Sequence, residues 1–134
     1  MPITDAMRAR HVVRQYLSTP LPDDVVAALR SRIEDNNRAH GTDIRLVTGD
    51  ARVFGPLWGT VRARSVRNCL VMSGPDAPDL DERLGYGGAD LMLAAQDLGL
   101  NTWWIGGTFS KRAAARVSGA TGRIVAVVAL GYGA

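Results

Sequence analysis

Arg10 and Arg14 stand four positions apart with His11 between them. On a helix, residues i and i+4 share a face, so two guanidinium forks can converge on one dianion such as a phosphate. Arginines near a chain start are equally at home on a solvated face, and the residue types alone leave both readings open. A second pattern is Trp104-Ile105-Gly106-Gly107. Its two glycines permit close approach of the backbone to a planar ring, or form a plain tight turn. Trp103 and Trp104 suit a core or an interface at least as well as a ligand contact. Lys111 and Arg112 open the next helix, where two positive charges are unfavourable unless an anion is near. Arg62, Arg64 and Arg67 read as a solvated face, His40 as a loop residue and Cys69 as a small core residue. No side chain stands out as a catalytic general acid. With one cysteine, and no Cys/His pair at metal-ligand spacing, neither a disulfide nor a metal site is expected.

These residues need elements to position them. Thr4 to Leu17 reads as a helix with Met7, Val12, Val13 and Tyr16 on its apolar face. Asp23 or Asp24 caps a second helix to about Asn36, on which Val25, Val26, Leu29 and Ile33 recur at helical spacing and Arg30, Arg32 and Glu34 lie outside. Asp43 to Thr48 alternates as a strand, and Thr60 to Val66 suggests a short helix. Asn68 to Ser73 is a short apolar run, as in a buried strand. Asp81 to Leu98 is a helix so rich in apolar and small residues that burial on most of its circumference is expected, with Gly99 as its left-handed cap. Asn101 to Ile105 reads as a strand, Ser110 caps a helix through Val117, and Arg123 to Gly131 is a strand buried on both faces.

The chain has 134 residues, 46% of them apolar and 22% charged, which suits one folded domain spanning 1–134. Its net charge of +3 comes almost wholly from arginine, since Lys111 is the only lysine. Arginine favours anionic ligands. A nucleic-acid partner is not expected, because no recognised motif accompanies the charge and thirteen acidic residues dilute it. The first residues lack the apolar core of a signal peptide, and no apolar run approaches the roughly 20 residues that span a bilayer. A cytoplasmic location without a membrane partner is therefore expected.

The run RHVVRQYLSTPLPDDVV at Arg10 to Val26, the segment GYGGADLMLAAQDLGLNTWWIGGTF at Gly85 to Phe109 and the closing IVAVVALGY resemble the nitroreductase family. The central segment is similar to a branch with the pattern GYxGxxLxLAAxxLGLxTxWxGGTF. The resemblance implies an α+β, three-layer α/β-like fold with a central mixed sheet flanked by helices. It implies a homodimer with FMN at the interface, reduced by NAD(P)H and passing electrons to a small-molecule acceptor such as a nitroaromatic or a quinone. By the same resemblance, Arg10, His11 and Arg14 hold the FMN phosphate and ribityl chain, and Trp104, Ile105, Gly106 and Gly107 lie along the flavin. This chain departs from the pattern in three places. Val12 stands where serine is common, no segment like APSSxNxQPW follows the second helix, and the sequence reaches Ala134 where relatives continue into an extension embracing the other subunit. It therefore resembles an N-terminal half, a truncated or minimal version of the fold. The alternative reading is a non-catalytic or heteromeric subunit that has lost FMN or completes a site with a second chain.

Overall fold

The computed structural model describes residues 3–9, 16–54 and 66–133. Chain order is α1 (Ile3–Ala9), α2 (Asp23–His40), β1 (Arg45–Val47), a 3₁₀ turn (Arg52–Phe54), β2 (Asn68–Gly74), α3 (Leu80–Asp97), β3 (Asn101–Ile105), α4 (Lys111–Ser118) and β4 (Arg123–Gly131). The expected helix at Thr60 to Val66 lies outside the described residues, apart from the buried Val66.

Continuous apolar runs make the sheet centre. β2 is buried along its whole length and β4 from Ala126 to Gly131, as strands covered on both faces must be. The four strands lie in the order β1-β2-β4-β3. Each pairing is antiparallel, with Leu70 opposite Val128, Leu46 opposite Leu70 and Trp104 opposite Val128. The α+β class is thus the observed one, and the sheet expected to be mixed is antiparallel among the described strands.

Alternation along each strand divides the core in two. On one face Leu70, Met72, Ala126, Val128 and Leu130 pack against Leu29 and Ile33 of α2 and Leu84, Leu91 and Ala95 of α3. On the other, Cys69, Val71, Val127 and Ala129 pack against Val53, Phe54 and Ala114. Helices therefore cover both faces, giving three layers.

Several boundaries moved. α2 runs to His40, so His40 belongs to the helix, not to a loop, and its ring stacks on that of Tyr86 at 6.3 Å. Pro22 occupies the N-cap of α2, with Asp23 and Asp24 in the first turn, where their charge suits the helix dipole. Of the helix expected from Thr4 to Leu17, α1 accounts for Ile3–Ala9, while Tyr16 is bridged to Gly133 as in a strand. Leu17 N–H donates to the Tyr132 carbonyl at 2.8 Å, which gives this segment a non-helical partner. Gly99 has φ 83°, as expected of a residue ending a helix in the left-handed region. Ser110 caps α4 through a hydrogen bond that its hydroxyl accepts from Ala113 N–H.

Candidate functional site

α3 carries glycines at 85, 87 and 88. Glycine in a helix interior costs about 1 kcal/mol relative to alanine, so three in one helix imply that something approaches closely. At Gly88 the neighbour is Trp104 of β3: a Cβ there would stand 2.8 Å from the indole Cζ3. The indole lies across α3, and its Nε1 is 3.8 Å from where a Cβ would sit on Gly106. Trp104 thus links the helix to the turn that follows β3.

A groove of about 570 Å³ opens beside it, lined by Met7, Gly85, Ala89, Met92, Leu93 and Trp104. Its walls are apolar, and its two large side chains nearest solvent are Met7, 61% exposed, and Trp104, 36%. Here the expectation for α3 needs correction. Leu84, Gly87, Gly88, Leu91 and Met92 are buried, but Gly85, Tyr86 and Ala89 are exposed, so among the described residues nothing covers one side of the helix. Composition did not distinguish a face buried within the chain from an apolar face left on its surface.

Trp104 stands at the groove, with Gly106 against its indole nitrogen. The β3–β4 ladder ends at Ile105 opposite Val127, so Gly106 and Gly107 lie beyond sheet pairing, exposed, with their N–H groups outside the ladder. A Cβ on Gly107 would meet nothing within 4 Å, which leaves room for a flat group against the backbone there. Ile105 points the other way: its side chain is buried in the second core with Val127 and Ala114, so only its backbone faces the turn. Arg10, His11 and Arg14 lie outside the described residues. Ala9, just before them, ends α1, which packs against α3 and contributes Met7 to the groove.

Other charged residues lie elsewhere. Arg112 lines a cleft of about 430 Å³ with Arg52, Ser110 and Arg116. Arg52 there is held by Asp50 at 2.6 Å, which keeps that carboxyl below its ordinary range. Lys111 and Arg67 are exposed. A smaller groove of about 330 Å³ contains Arg32 and Asp90, but these are committed to each other. Arg32 Nε and Nη2 each donate to an Asp90 oxygen at 2.7 Å, and Asn36 Nδ2 adds a third bond at 2.7 Å. The Arg32 hydrogen bond, aided by Asn36, holds the Asp90 carboxyl below the usual carboxylate range. Asn37 is structural too, accepting from Ile44 N–H at 2.8 Å and donating to the Ile44 carbonyl at 3.1 Å. Met7, Gly85, Gly88, Ala89, Met92 and Leu93 were not expected from sequence to line a site. The signal that could have found them is the clustering of glycines inside a helix.

The family model described as "Putative TM nitroreductase" matches residues 2–134, and the chain belongs to that family. Among solved structures it is similar to a nitroreductase with bound FMN from Bacteroides fragilis, at 18% identity and TM-score 0.75, over 100% of this chain and 89% of that one. It is also similar to an FMN-dependent nitroreductase from Clostridium difficile, at 12% identity and TM-score 0.73, over 96% and 86% of the two chains. An NADPH:FMN oxidoreductase from Vibrio harveyi, complexed with NAD+, matches at 17% identity and TM-score 0.71, over 98% and 68%. No curated protein matches the sequence. The likeness to compact nitroreductases thus extends over most of their length, beyond the N-terminal half that the motifs alone suggested.

Proposed function

We propose that the protein is an FMN-dependent oxidoreductase that takes electrons from NAD(P)H and passes them to an electron-poor acceptor such as a nitroaromatic or a quinone. The observation that carries this reading is the apolar groove of α3 and Trp104 running to the exposed Gly106-Gly107 turn. A flat, largely apolar ring fits such a surface, and the backbone beyond the end of the β3–β4 ladder can meet the polar edge of that ring. When bound, the flavin supplies the hydride and electron transfer. The chain's part is binding and orientation. Trp104, Gly106, Gly107 and the backbone of Ile105 would hold the ring, while Arg10, His11 and Arg14, which follow α1 in the sequence, would hold the phosphate and ribityl chain. Backbone N–H groups aimed at the ring edge would favour negative charge developing there. The uncovered apolar side of α3 supports a homodimer with the site at the interface, since water is then excluded from the groove.

A visible spectrum of the purified protein, followed by FMN titration, tests this. Flavin absorbance that is lost in the Arg10→Ala/Arg14→Ala double variant is the expected result. A colourless protein that FMN does not titrate would instead favour the non-catalytic or heteromeric subunit. Activity appearing only with a second chain from the host would single out the heteromer.

A further inference from the structure

We propose that Gly88 is a positioning residue for Trp104, and that the indole it seats is a ligand-directed hydrogen-bond donor at the mouth of the groove. The indole is bracketed by two glycines on different elements. Its six-membered edge occupies the space a side chain would take at Gly88, with Cζ3 2.8 Å and Cη2 3.6 Å from a Cβ built there. Its Nε1 lies 3.8 Å from the corresponding position at Gly106. The ring therefore spans the step from α3 to the turn, and its height above the sheet is set by how closely it can approach the helix backbone.

A methyl group at position 88 cannot be accommodated without movement, because a 2.8 Å carbon–carbon contact lies far inside van der Waals range. Met72 Cε, at 3.0 Å, is the end of a flexible side chain and can give way. The backbones of α3 and β3 are held by their own hydrogen-bond ladders. Trp104, on the edge strand and 36% exposed, is the group free to swing outward. Gly88→Ala should therefore spare the fold, tilt the indole into the groove mouth and draw Nε1 away from Gly106. Among the described residues no hydrogen bond is found for the Trp104 Nε1–H, which belongs to a side chain that is partly open to solvent. An indole nitrogen can only donate, so it is left to meet an acceptor atom on the rim of a flat ligand lying at the turn. The pairing of a helix glycine with a tryptophan sixteen positions later thus sets both the depth of the groove and the polarity of one point on its edge.

The seating of the indole stands on the geometry alone; the ligand contact rests on the flavin reading above. Both are tested in a full-length protein in which Trp104 is the only tryptophan, made by Trp58→Phe and Trp103→Phe. Gly88→Ala should red-shift the Trp104 emission and increase its quenching by acrylamide, while Gly85→Ala, whose added Cβ meets nothing within 4 Å, should not. Gly88→Ala and Trp104→Phe should each weaken FMN binding about tenfold, roughly the worth of one hydrogen bond, and the double variant should be no weaker than either. Emission and quenching unchanged by Gly88→Ala would overturn the seating. FMN affinity unchanged in Trp104→Phe would overturn the donor role. If the parent protein binds no FMN, the flavin reading falls and the donor role with it, while the emission shift still decides the seating. Should Gly88→Ala fail to fold, Gly88→Ala/Trp104→Phe should restore folding by removing the distal edge of the indole. Failure of both would show that Trp104 is not what fills the notch.

Discussion

Cys69 illustrates how far burial governs a side chain's chemistry. It sits at the sheet centre with no exposed surface, and burial pushes its thiol up to about 12. The thiolate is the reactive form, so iodoacetamide should leave native protein unmodified at pH 8 and react fully once denaturant is added. Labelling of the native state would show that β2 opens locally. Because the thiol's folded value is raised, its contribution to stability is present below the ordinary value of 9.0 and is lost as pH rises above it. Its core role was readable from an apolar run with turn residues on either side. The direction of Ile105 was not, since its neighbour Trp104 faces the groove while Ile105 joins the opposite core. Nothing in a WWI followed by glycine states which alternation is the outward one; the register with β4 decides it.

At the scale of elements, the tie between α2 and α3 replaces what a pattern of solvated charges on α2 suggested. Arg32 was expected outside, and its side chain is indeed 52% exposed, but it forks onto Asp90 across the helix pair. The partner lies far away in sequence, so neither helix alone announces the bond. Asp90→Ala should destabilise the protein by about 1 kcal/mol at pH 7, an exposed-pair magnitude raised somewhat by the loss of the Asn36 bond. The folded Asp90 carboxyl is depressed, so this contribution exists above the unfolded value of 3.8 and fades as pH falls through the folded one. Denaturant midpoints of the wild type and variant should therefore differ at pH 7 and draw together only as pH falls below 3.8; a constant gap would mean the loss is packing, not charge. Strands were legible wherever both faces are buried, because a continuous apolar run has no competing solvent pattern. Helix ends were less so. α2 outran its expected end at Asn36 because its last turn is held by tertiary contacts of Asn36, Asn37 and His40 that a periodicity cannot display.

For the whole molecule, the uncovered side of α3 is the main feature that remains to be matched. A groove lined by Met7, Ala89, Leu93 and Trp104 is the face that the proposed homodimer would cover. Sedimentation should find a dimer, and Ala89→Glu, which places a carboxylate on that face, should shift it to monomer and weaken FMN binding together. A dimer undisturbed by Ala89→Glu would put the interface elsewhere. The arginines proposed to hold a phosphate, Arg10 and Arg14, come from the family resemblance alone, whereas the groove and turn follow from the packing of α3 on β3.

The strand order also bears on how the chain is built. β4 lies between β2 and β3 and is made after both. During synthesis β2 has only the three-residue β1 as a sheet neighbour, and β3 has none among the described strands. The centre of the sheet joins Leu70 to Val128, so a long loop must close before either core exists. Folding should consequently be slow for a protein of this length, on the order of milliseconds to seconds. Until β4 leaves the ribosome, the apolar strand β2 keeps one edge unpaired and open to association with other chains.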